Sequence, residues 1–246
     1  MSQNSTLTPS QPVPPNVLQA AGAARLGAFH RVYVPHRKNW FLIIFMLIIG
    51  LATAIFLIGL WVLWMIFRLP NLSRSQAARR LYVFDEGFVL LDRPDDPQVY
   101  RWDGIDTVFQ KIVSQRTYGV ETAKTYLYTV TRRDGRTVKL NNFWAGIAEL
   151  GPHINVCVSK ALLPGAVAAI QRGQAMQFGD ITLNASGISG RRKSVTWNEV
   201  KQIRLHNGYM HVDVAGKFFA VSTTAAANLP NLPLFLTLAE RLRTGG

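Results

Sequence analysis

The sequence predicts a mainly β protein with helices, built as two similar small domains in tandem behind one N-terminal transmembrane helix. Three observations support this. Residues 40–67 carry no charge, the chain after them alternates apolar and polar residues between turn signals, and one pattern recurs after about a hundred residues. We predict a disordered basic-ended tail over residues 1–38, a transmembrane anchor over 39–70, a first domain with a helical extension over 78–173 and a second domain over 174–246.

The tail is predicted to be disordered because of its composition. Residues 1–24 carry no charge and are rich in Ser, Gln, Thr and Pro, so they have little apolar surface to bury. They also lack the basic start and early apolar core of a secretory signal peptide. The first cations are Arg25, Arg31, Arg37 and Lys38, whereas all 14 acidic residues lie after the apolar segment.

The apolar segment is longer than the core of a bilayer is thick. Residues 40–67 contain one polar side chain, Thr53, and as a helix would extend about 42 Å, against about 30 Å for the hydrocarbon core. Trp40 and Trp61 mark two aromatic belts, and Arg68-Leu69-Pro70-Asn71 stops the helix. We therefore predict one membrane span, with tilt absorbing the excess length.

The charges beside the segment do not orient this span. Four cations precede it and four follow closely, at Arg68, Arg74, Arg79 and Arg80, whereas the positive-inside rule needs a difference. A re-entrant hairpin with both ends on one side would explain the tie. However, each of its arms would have only about 14 residues, and residues 50–53 are a poor turn. The single span is favoured, the hairpin stays an alternative, and the soluble domains are expected in the cytoplasm.

Short strands and tight turns dominate the chain after the anchor. Asp134-Gly135 predicts a hairpin because Asp-Gly supplies the positive φ that its tight turn requires. Asn207-Gly208, read as a two-residue turn, and Ala215-Gly216 predict two further turns. The alternation predicts strands at residues 81–84, 88–91, 125–131, 137–140, 180–183, 200–205, 209–214 and 217–221.

Two stretches have helical spacing instead. Residues 144–173 place apolar side chains near every third or fourth position, interrupted at Gly151-Pro152 and at Pro164. Residues 233–242 place three leucines on one face. We expect a helix to follow each group of strands.

The tandem organisation rests on a repeated pattern. A glycine, a loop, a tryptophan and two aliphatic residues at +3 and +6 from it occur in both halves, and each copy continues into a hairpin and a helix. Two such units indicate tandem domains rather than a solenoid. The matching residues are Gly87, Trp102, Ile105 and Val108 in the first copy, and Gly187, Trp197, Val200 and Ile203 in the second. Both tryptophans are predicted core residues.

Four stretches of the two copies resemble pleckstrin-homology-like (PH-like) domains. They are Tyr82-Val-Phe-Asp-Glu-Gly-Phe88, Tyr100-Arg-Trp-Asp-Gly-Ile105, Phe178-Gly-Asp-Ile-Thr-Leu183 and Thr196-Trp-Asn-Glu-Val200. More narrowly, the chain resembles an uncharacterised bacterial family of membrane-anchored proteins with tandem PH-like domains, over residues 81–242. The resemblance implies two small bent β-barrels, each closed by a helix, that bind or scaffold and carry no catalytic residues.

The charge favours a lipid surface as partner. The formal net charge is +13, and each Lys or Arg near an anionic leaflet contributes about 1 kcal/mol. The cations are scattered and form no basic helix, so no nucleic acid partner is expected. Cys157 is the only cysteine, which fits a reducing compartment, and its apolar neighbours predict a core residue.

The sequence predicts no catalytic residue, cofactor site or metal site. His206 and His211 resemble a metal pair, but a two-residue turn between them places His206 opposite Tyr209 and His211 opposite Arg204, which would repel a cation. Turn formation or capping explains acid pairs such as Asp95-Asp96. Phosphate-loop and dinucleotide motifs are missing.

One basic loop is the predicted contact with anionic lipid. Arg191, Arg192 and Lys193 are placed between the first strands of the second domain, where PH-like domains usually hold headgroups through several cations. The alternative is a solvated turn. The equivalent loop of the first copy, residues 91–97, is acidic and could not bind an anion in this way.

These observations predict a membrane-anchored, non-enzymatic binding or scaffold module at the bacterial inner membrane. It would be an integral protein that contacts anionic headgroups or a membrane protein partner. The alternatives are an enzyme with a site between the two barrels and an envelope-facing structural protein. Strongly shifted pKa values converging in a cleft would favour the enzyme, and an exposed apolar patch would favour a protein partner.

Overall fold

A computed structural model describes residues 12–36, 40–53, 61, 63–64, 74–118, 120–190, 193–216 and 222–245. These residues form five α-helices: α1 (Pro15–Ala23), α2 (Trp40–Ala52), α3 (Arg74–Ala78), α4 (Ile147–Gln171) and α5 (Leu232–Thr244). The strands before α4 are β1 (Phe29–Tyr33), β2 (Arg80–Phe84), β3 (Gly87–Arg93), β4 (Asp96–Arg101), β5 (Ile105–Thr117), β6 (Val120–Arg132) and β7 (Thr137–Asn141). Those after it are β8 (Met176–Phe178), β9 (Ile181–Leu183), β10 (Gly187–Ser189), β11 (Ser194–Thr196), β12 (Val200–His206), β13 (Tyr209–Val214) and β14 (Ser222–Ala225).

The described strands form four sheets in which strands consecutive in sequence are neighbours. The sheets are β1–β4, β5–β7, β8–β11 and β12–β14. The predicted class, mainly β with helices, is confirmed. The predicted barrels are not observed as closed structures, because closure requires pairing between the first and last strands of a sheet and these four ladders stay separate within the described residues.

The repeat predicted from the sequence has a structural counterpart. A four-stranded sheet, a 3₁₀ turn, a three-stranded sheet and a helix follow one another twice along the chain. Trp102 and Trp197 each begin the 3₁₀ turn, and both are buried. Gly87 and Gly187 each begin the third strand of their copy. The spacing of these residues therefore marked equivalent positions.

The chain divides into two compact units that differ from the predicted domains. Unit 1 comprises residues 1–99 and 143–145, and unit 2 comprises residues 100–142 and 146–246. The boundary lies within β4. Unit 1 thus combines the N-terminal region with the first sheet, and unit 2 combines the second sheet and α4 with the whole second copy.

The N-terminal region is folded where disorder was predicted. Pro15 occupies the first turn of α1, where its missing N–H has no helical partner to lose. Val17 and Ala21, four residues apart, share one helix face and are buried against Phe84 and Val89. The predicted disordered tail over residues 1–38 is therefore wrong for residues 15–33, because α1 supplies part of the core of the first sheet.

Hydrogen bonds hold the segment after α1 along the β2–β3 turn. Asp85 accepts hydrogen bonds from the backbone N–H of Ala28, at 2.7 Å, and from His30, whose Nε2 is 2.5 Å from its Oδ1. The Glu86 N–H donates to the Leu26 carbonyl at 2.9 Å. Gly27 has a φ of +78°, and a Cβ at this position would lie 2.7 Å from Asp85 Oδ2. This position therefore requires glycine.

Strand β1 was not predicted, and it pairs antiparallel with β2. Arg31 lies opposite Val83, and Tyr33 lies opposite Leu81. The apolar segment therefore connects two neighbouring strands of one sheet. This contradicts the favoured single span, because one crossing would separate the paired strands by the thickness of a bilayer.

Helix α4 packs on the sheet β5–β7 in unit 2. It continues through Pro152 and Pro164, at which interruptions were predicted. Leu150 and Ile154 are fully buried, and at Gly151 an added Cβ would lie 2.0 Å from Cε2 of the Tyr128 ring. Among the described residues, α4 is the one helix long and apolar enough to cross a membrane by length and composition; α2 is apolar but has 13 residues.

The second copy is built around the closing helix. Phe235 and Leu238 of α5 are buried in a cluster with Phe178, Ile181 and Trp197. The predicted helix over residues 233–242 is confirmed and slightly extended. The Trp197 Nε1–H donates to the Asn184 carbonyl at 2.9 Å, so the tryptophan is a core residue with a satisfied polar atom.

The predicted hairpin turns are present. Residues 133–136 connect β6 and β7, and within this longer turn Gly135 has a φ of +84°. Asn207-Gly208 connects β12 and β13 with both residues at positive φ, as a type I′ turn requires. Gly216 also has a positive φ after β13. The strand predicted at residues 217–221 lies outside the described residues.

Candidate membrane-contact site

The most unusual surface in the described part of the chain is helix α2. Its thirteen residues are all apolar or glycine, so no face is polar, and only Gly50 is buried. Phe41 is 81% exposed and Leu51 is 70% exposed. Trp61 and Trp64, farther along the same segment, are exposed as well. A continuous apolar surface of this kind is typical of a lipid or protein contact.

Backbone hydrogen bonds fix the first root of the apolar segment, residues 34–36. The His36 N–H donates to the Phe143 carbonyl at 3.0 Å, and the Ala145 N–H donates to the Val34 carbonyl at 2.9 Å. Pro35 forms an isolated bridge with Trp144. The chain leaving β1 is therefore attached to residues 143–145 before α2 begins.

The second root of the apolar segment, where the chain returns at Arg79, also contacts Phe143. The Arg79 guanidinium forms an ion pair with Asp92, with Nε and Oδ1 2.6 Å apart, and lies 5.7 Å from the centre of the Phe143 ring. Arg80 donates hydrogen bonds to the carbonyls of Ala77 and Arg79, both at 2.8 Å. Phe143 thus contacts both roots, one through its carbonyl and the other through its ring.

The predicted headgroup loop lies elsewhere, in unit 2. Arg191 and Arg192 lie outside the described residues. The Gly190 N–H donates to the Lys193 carbonyl at 2.8 Å, which closes the turn between β10 and β11. The loop therefore connects the third and fourth strands of its sheet and not the first two. The sequence also predicted that this loop is equivalent to the acidic loop of the first copy. The strand order agrees, because the acidic loop likewise connects the third and fourth strands of its sheet, β3 and β4.

The two histidines of the β12–β13 hairpin have the predicted register. His206 pairs with Tyr209, and His211 pairs with Arg204. Arg204 in turn forms an ion pair with Asp213 at 2.7 Å, and this hydrogen bond lowers the pKa of Asp213. His211 Nδ1 lies 3.2 Å from the Thr223 hydroxyl. His206 and His211 therefore make ordinary cross-strand contacts.

Sequence analysis missed a contact between Cys157 and His153. The Cys157 Sγ lies 3.6 Å from His153 Nε2, one turn apart on α4, and the His153 ring packs edge-on against Trp102. The spacing of four residues on a helix was the available signal. Within the described residues, no group of three His, Cys, Asp or Glu could hold a metal ion.

Among the residues that the structure describes, three buried side-chain polar atoms lack a hydrogen-bond partner. They are Tyr128 Oη, Asn155 Oδ1 and Ser159 Oγ, while the Asn155 amide donates to Gln110 Oε1 at 2.7 Å. Burial raises the pKa of Tyr128 to about 12, so the phenol is neutral at physiological pH. The second cause of this shift is the nearby phenol of Tyr126.

Comparison with known proteins identifies the family of the chain. The model of a family of unknown function (DUF6585) matches residues 1–245, so the chain belongs to that family. Neither the curated proteins nor the solved structures gave a match.

Proposed function

We propose that this member of the DUF6585 family is a membrane-anchored, non-enzymatic binding module whose two PH-like repeats act at the surface of a bilayer. The observation that carries the proposal is helix α2, which exposes apolar side chains on nearly its whole circumference while belonging to a folded unit. Lipid acyl chains are the simplest partner for such a helix, because it has no polar face to turn toward water.

The repeat supports the binding role. A four-stranded sheet, a three-stranded sheet and a closing helix are the elements that the PH-like resemblance implies, and both copies have them in that order. Such domains present loops on a rigid scaffold. The loop between β10 and β11 carries three consecutive cations, Arg191, Arg192 and Lys193, of which Lys193 is exposed.

Anionic headgroups are the proposed ligands of this loop. Several cations at one turn can hold a phosphate through charge-assisted hydrogen bonds. The equivalent turn of the first copy contains Pro94 and Asp95, and the Asn16 amide donates to the Pro94 carbonyl at 2.6 Å. The first copy therefore uses this turn for packing against α1, which leaves headgroup binding to the second copy.

A titration with short-chain lipid tests this proposal. The full chain in neutral detergent is titrated with short-chain phosphatidylglycerol and with phosphatidylcholine, and binding heat is measured. We expect the triple variant Arg191→Ala/Arg192→Ala/Lys193→Ala to bind phosphatidylglycerol at least about tenfold more weakly, because each cation contributes about 1 kcal/mol. Neither protein should prefer phosphatidylcholine.

The matched control removes the same charge elsewhere in unit 2. Arg136, Lys139 and Lys160 are exposed, and among the contacts described they share one weak ion pair, between Arg136 and Asp134 at 3.9 Å. Their triple alanine variant should keep the affinity of the wild type. Equal weakening in both triple variants would indicate a general charge effect and would reject the loop as a headgroup site.

A further inference from the structure

We infer that the apolar segment enters and leaves the membrane through the same face, as a re-entrant hairpin whose partner is the acyl chains of one leaflet. The N-terminal region and both repeats then lie on one side of the bilayer. This inference rests on the proposed membrane anchoring and adds how the anchor is inserted. It replaces the single span that the sequence favoured.

The first argument is the pairing of β1 with β2. Their ladder runs from Phe29 opposite Phe84 to Tyr33 opposite Leu81. Paired strands lie about 4.8 Å apart, whereas the two faces of a hydrocarbon core are about 30 Å apart. Residues 34–79 must therefore return to the point at which they left the sheet.

The second argument is that both roots are attached to Phe143. Its carbonyl accepts a hydrogen bond from His36 N–H, and its ring lies beside the Arg79 guanidinium. The ion pair between Arg79 and Asp92 holds the second root against β3. These contacts extend beyond the ladder, so the two ends stay together as far as His36 on one side and Arg79 on the other.

The third argument is length. Residues 40–67 supply about 14 residues to each arm, or about 21 Å of helix, which exceeds one leaflet of about 15 Å and falls short of the whole core. The described helix α2 ends at Ala52, close to the midpoint of the segment. Residues 50–52 are still helical, so the reversal has to follow α2 and does not lie at residues 50–53, the poor turn considered from the sequence.

The fourth argument is charge. The cations that flank the segment are Arg25, Arg31, Arg37 and Lys38 before it and Arg68, Arg74, Arg79 and Arg80 after it. In a single span half of them would lie at each surface. In a hairpin all eight lie near one headgroup layer, so the equal counts on the two flanks no longer conflict with the positive-inside rule.

Cysteine labelling in sealed native vesicles tests the inference. In the full chain with Cys157→Ser, single cysteines are placed before the segment (Gln19→Cys), at the end of α2 (Leu51→Cys) and after the segment (Lys160→Cys). All three positions are exposed. A membrane-impermeant maleimide is applied to right-side-out and to inverted vesicles that have been washed with alkaline carbonate.

We expect the cysteines at positions 19 and 160 to label in the same vesicle preparation, and the cysteine at position 51 to label only after detergent. Labelling of positions 19 and 160 in opposite preparations would overturn the hairpin while leaving the anchor intact. Labelling of position 51 from the far side would show two crossings and reject insertion into one leaflet. Release of the protein by the carbonate wash would instead reject the membrane anchoring itself.

A disulfide test addresses the strand pair directly in the membrane. Arg31→Cys/Val83→Cys places thiols on directly opposed residues, and mild oxidation of vesicles should crosslink more than half of the chains. Arg31→Cys/Tyr82→Cys is the control, because residue 82 points to the other face of the sheet. Equal crosslinking of the two variants, or none in either, would contradict the β1–β2 pairing on which the hairpin depends.

Discussion

The two copies of the repeat differ most where their first and second strands connect. In the second copy Gly179 and Asp180 alone join β8 to β9, and Phe178 pairs with Ile181. In the first copy residues 34–79 join β1 to β2, yet Tyr33 still pairs with Leu81. The apolar segment is thus an insertion at a turn. Turns accept insertions because the chain ends are already adjacent, and doubling a loop costs only about 0.6 kcal/mol.

The largest expected effect comes from removing this difference. Replacing residues 34–80 by Gly-Asp between Tyr33 and Leu81 gives the first copy the turn of the second. We expect the protein to move entirely from the membrane fraction to the soluble fraction, because the exposed apolar helix is gone. Cell fractionation without detergent measures the partition, and circular dichroism during heating checks for one cooperative transition.

A milder replacement serves as the control. Residues 37–78 are exchanged for six Gly and Ser residues, so that the hydrogen bonds of residues 34–36 and the Arg79–Asp92 ion pair remain. This variant should be soluble. It should unfold at a higher temperature than the variant in which Gly-Asp replaces residues 34–80. A variant that unfolds cooperatively and still sediments with membranes would show that another surface anchors the protein.

The second comparison concerns the closing helices. Helix α5 packs through large side chains such as Phe235, whereas α4 approaches Tyr128 at a glycine. Gly151→Ala should destabilise the protein by about 1–3 kcal/mol, because its Cβ would overlap the Tyr128 ring. Gly165→Ala, in the same helix with nothing within 4 Å, should stabilise it by about 0.5–1 kcal/mol.

Urea denaturation of the soluble variant with residues 34–80 replaced measures both changes in the free energy of unfolding. Gly151→Ala combined with Tyr128→Leu should recover part of the loss, since leucine leaves room for the methyl group. Equal effects of the two glycine substitutions would mean that helix propensity alone decides them, and would contradict the close approach.

The repeat could be predicted from sequence because its signals are local. Asn207-Gly208 fixed the register of His206 opposite Tyr209, and the spacing from Trp102 and Trp197 marked equivalent strands. The role of residues 15–33 could not be predicted in the same way. Five residues from Phe29 to Tyr33 become a strand only through pairing with β2, and residues 34–79 separate the two in sequence.

The candidate site shows the same limit. The length and apolarity of residues 40–67 were evident, but whether such a segment crosses or returns depends on what its ends contact. The carbonyl and ring of Phe143, far along the chain, supply that information. The basic loop was found from composition, but its place between β10 and β11 depended on counting the strands β8 and β9 correctly.

The smallest expected effect concerns the turn after the second strand. In the first copy Asp85 accepts hydrogen bonds from Ala28 N–H and His30. In the second copy Asn184 occupies the equivalent place, and its Oδ1 accepts from the N–H groups of Ser186 and Gly187, both at 2.9 Å. One copy uses a carboxylate and the other a neutral amide, so only the first should respond to acid.

The hydrogen bond from Ala28, followed by that from His30, lowers the pKa of Asp85. Its folded-state pKa therefore lies below the unfolded value of about 3.9, so the stabilisation is complete above that pH and is lost as pH falls through the folded pKa. The melting temperature of the wild type minus that of Asp85→Asn should be constant between about pH 5 and pH 6 and shrink below about pH 4. Asn184→Asp should give the second copy the same acid sensitivity, whereas parallel melting curves from pH 3 to 6 would contradict the role of the carboxylate. Taking the difference between variants cancels the titration of the other acids, which makes a contact at an exposed turn measurable.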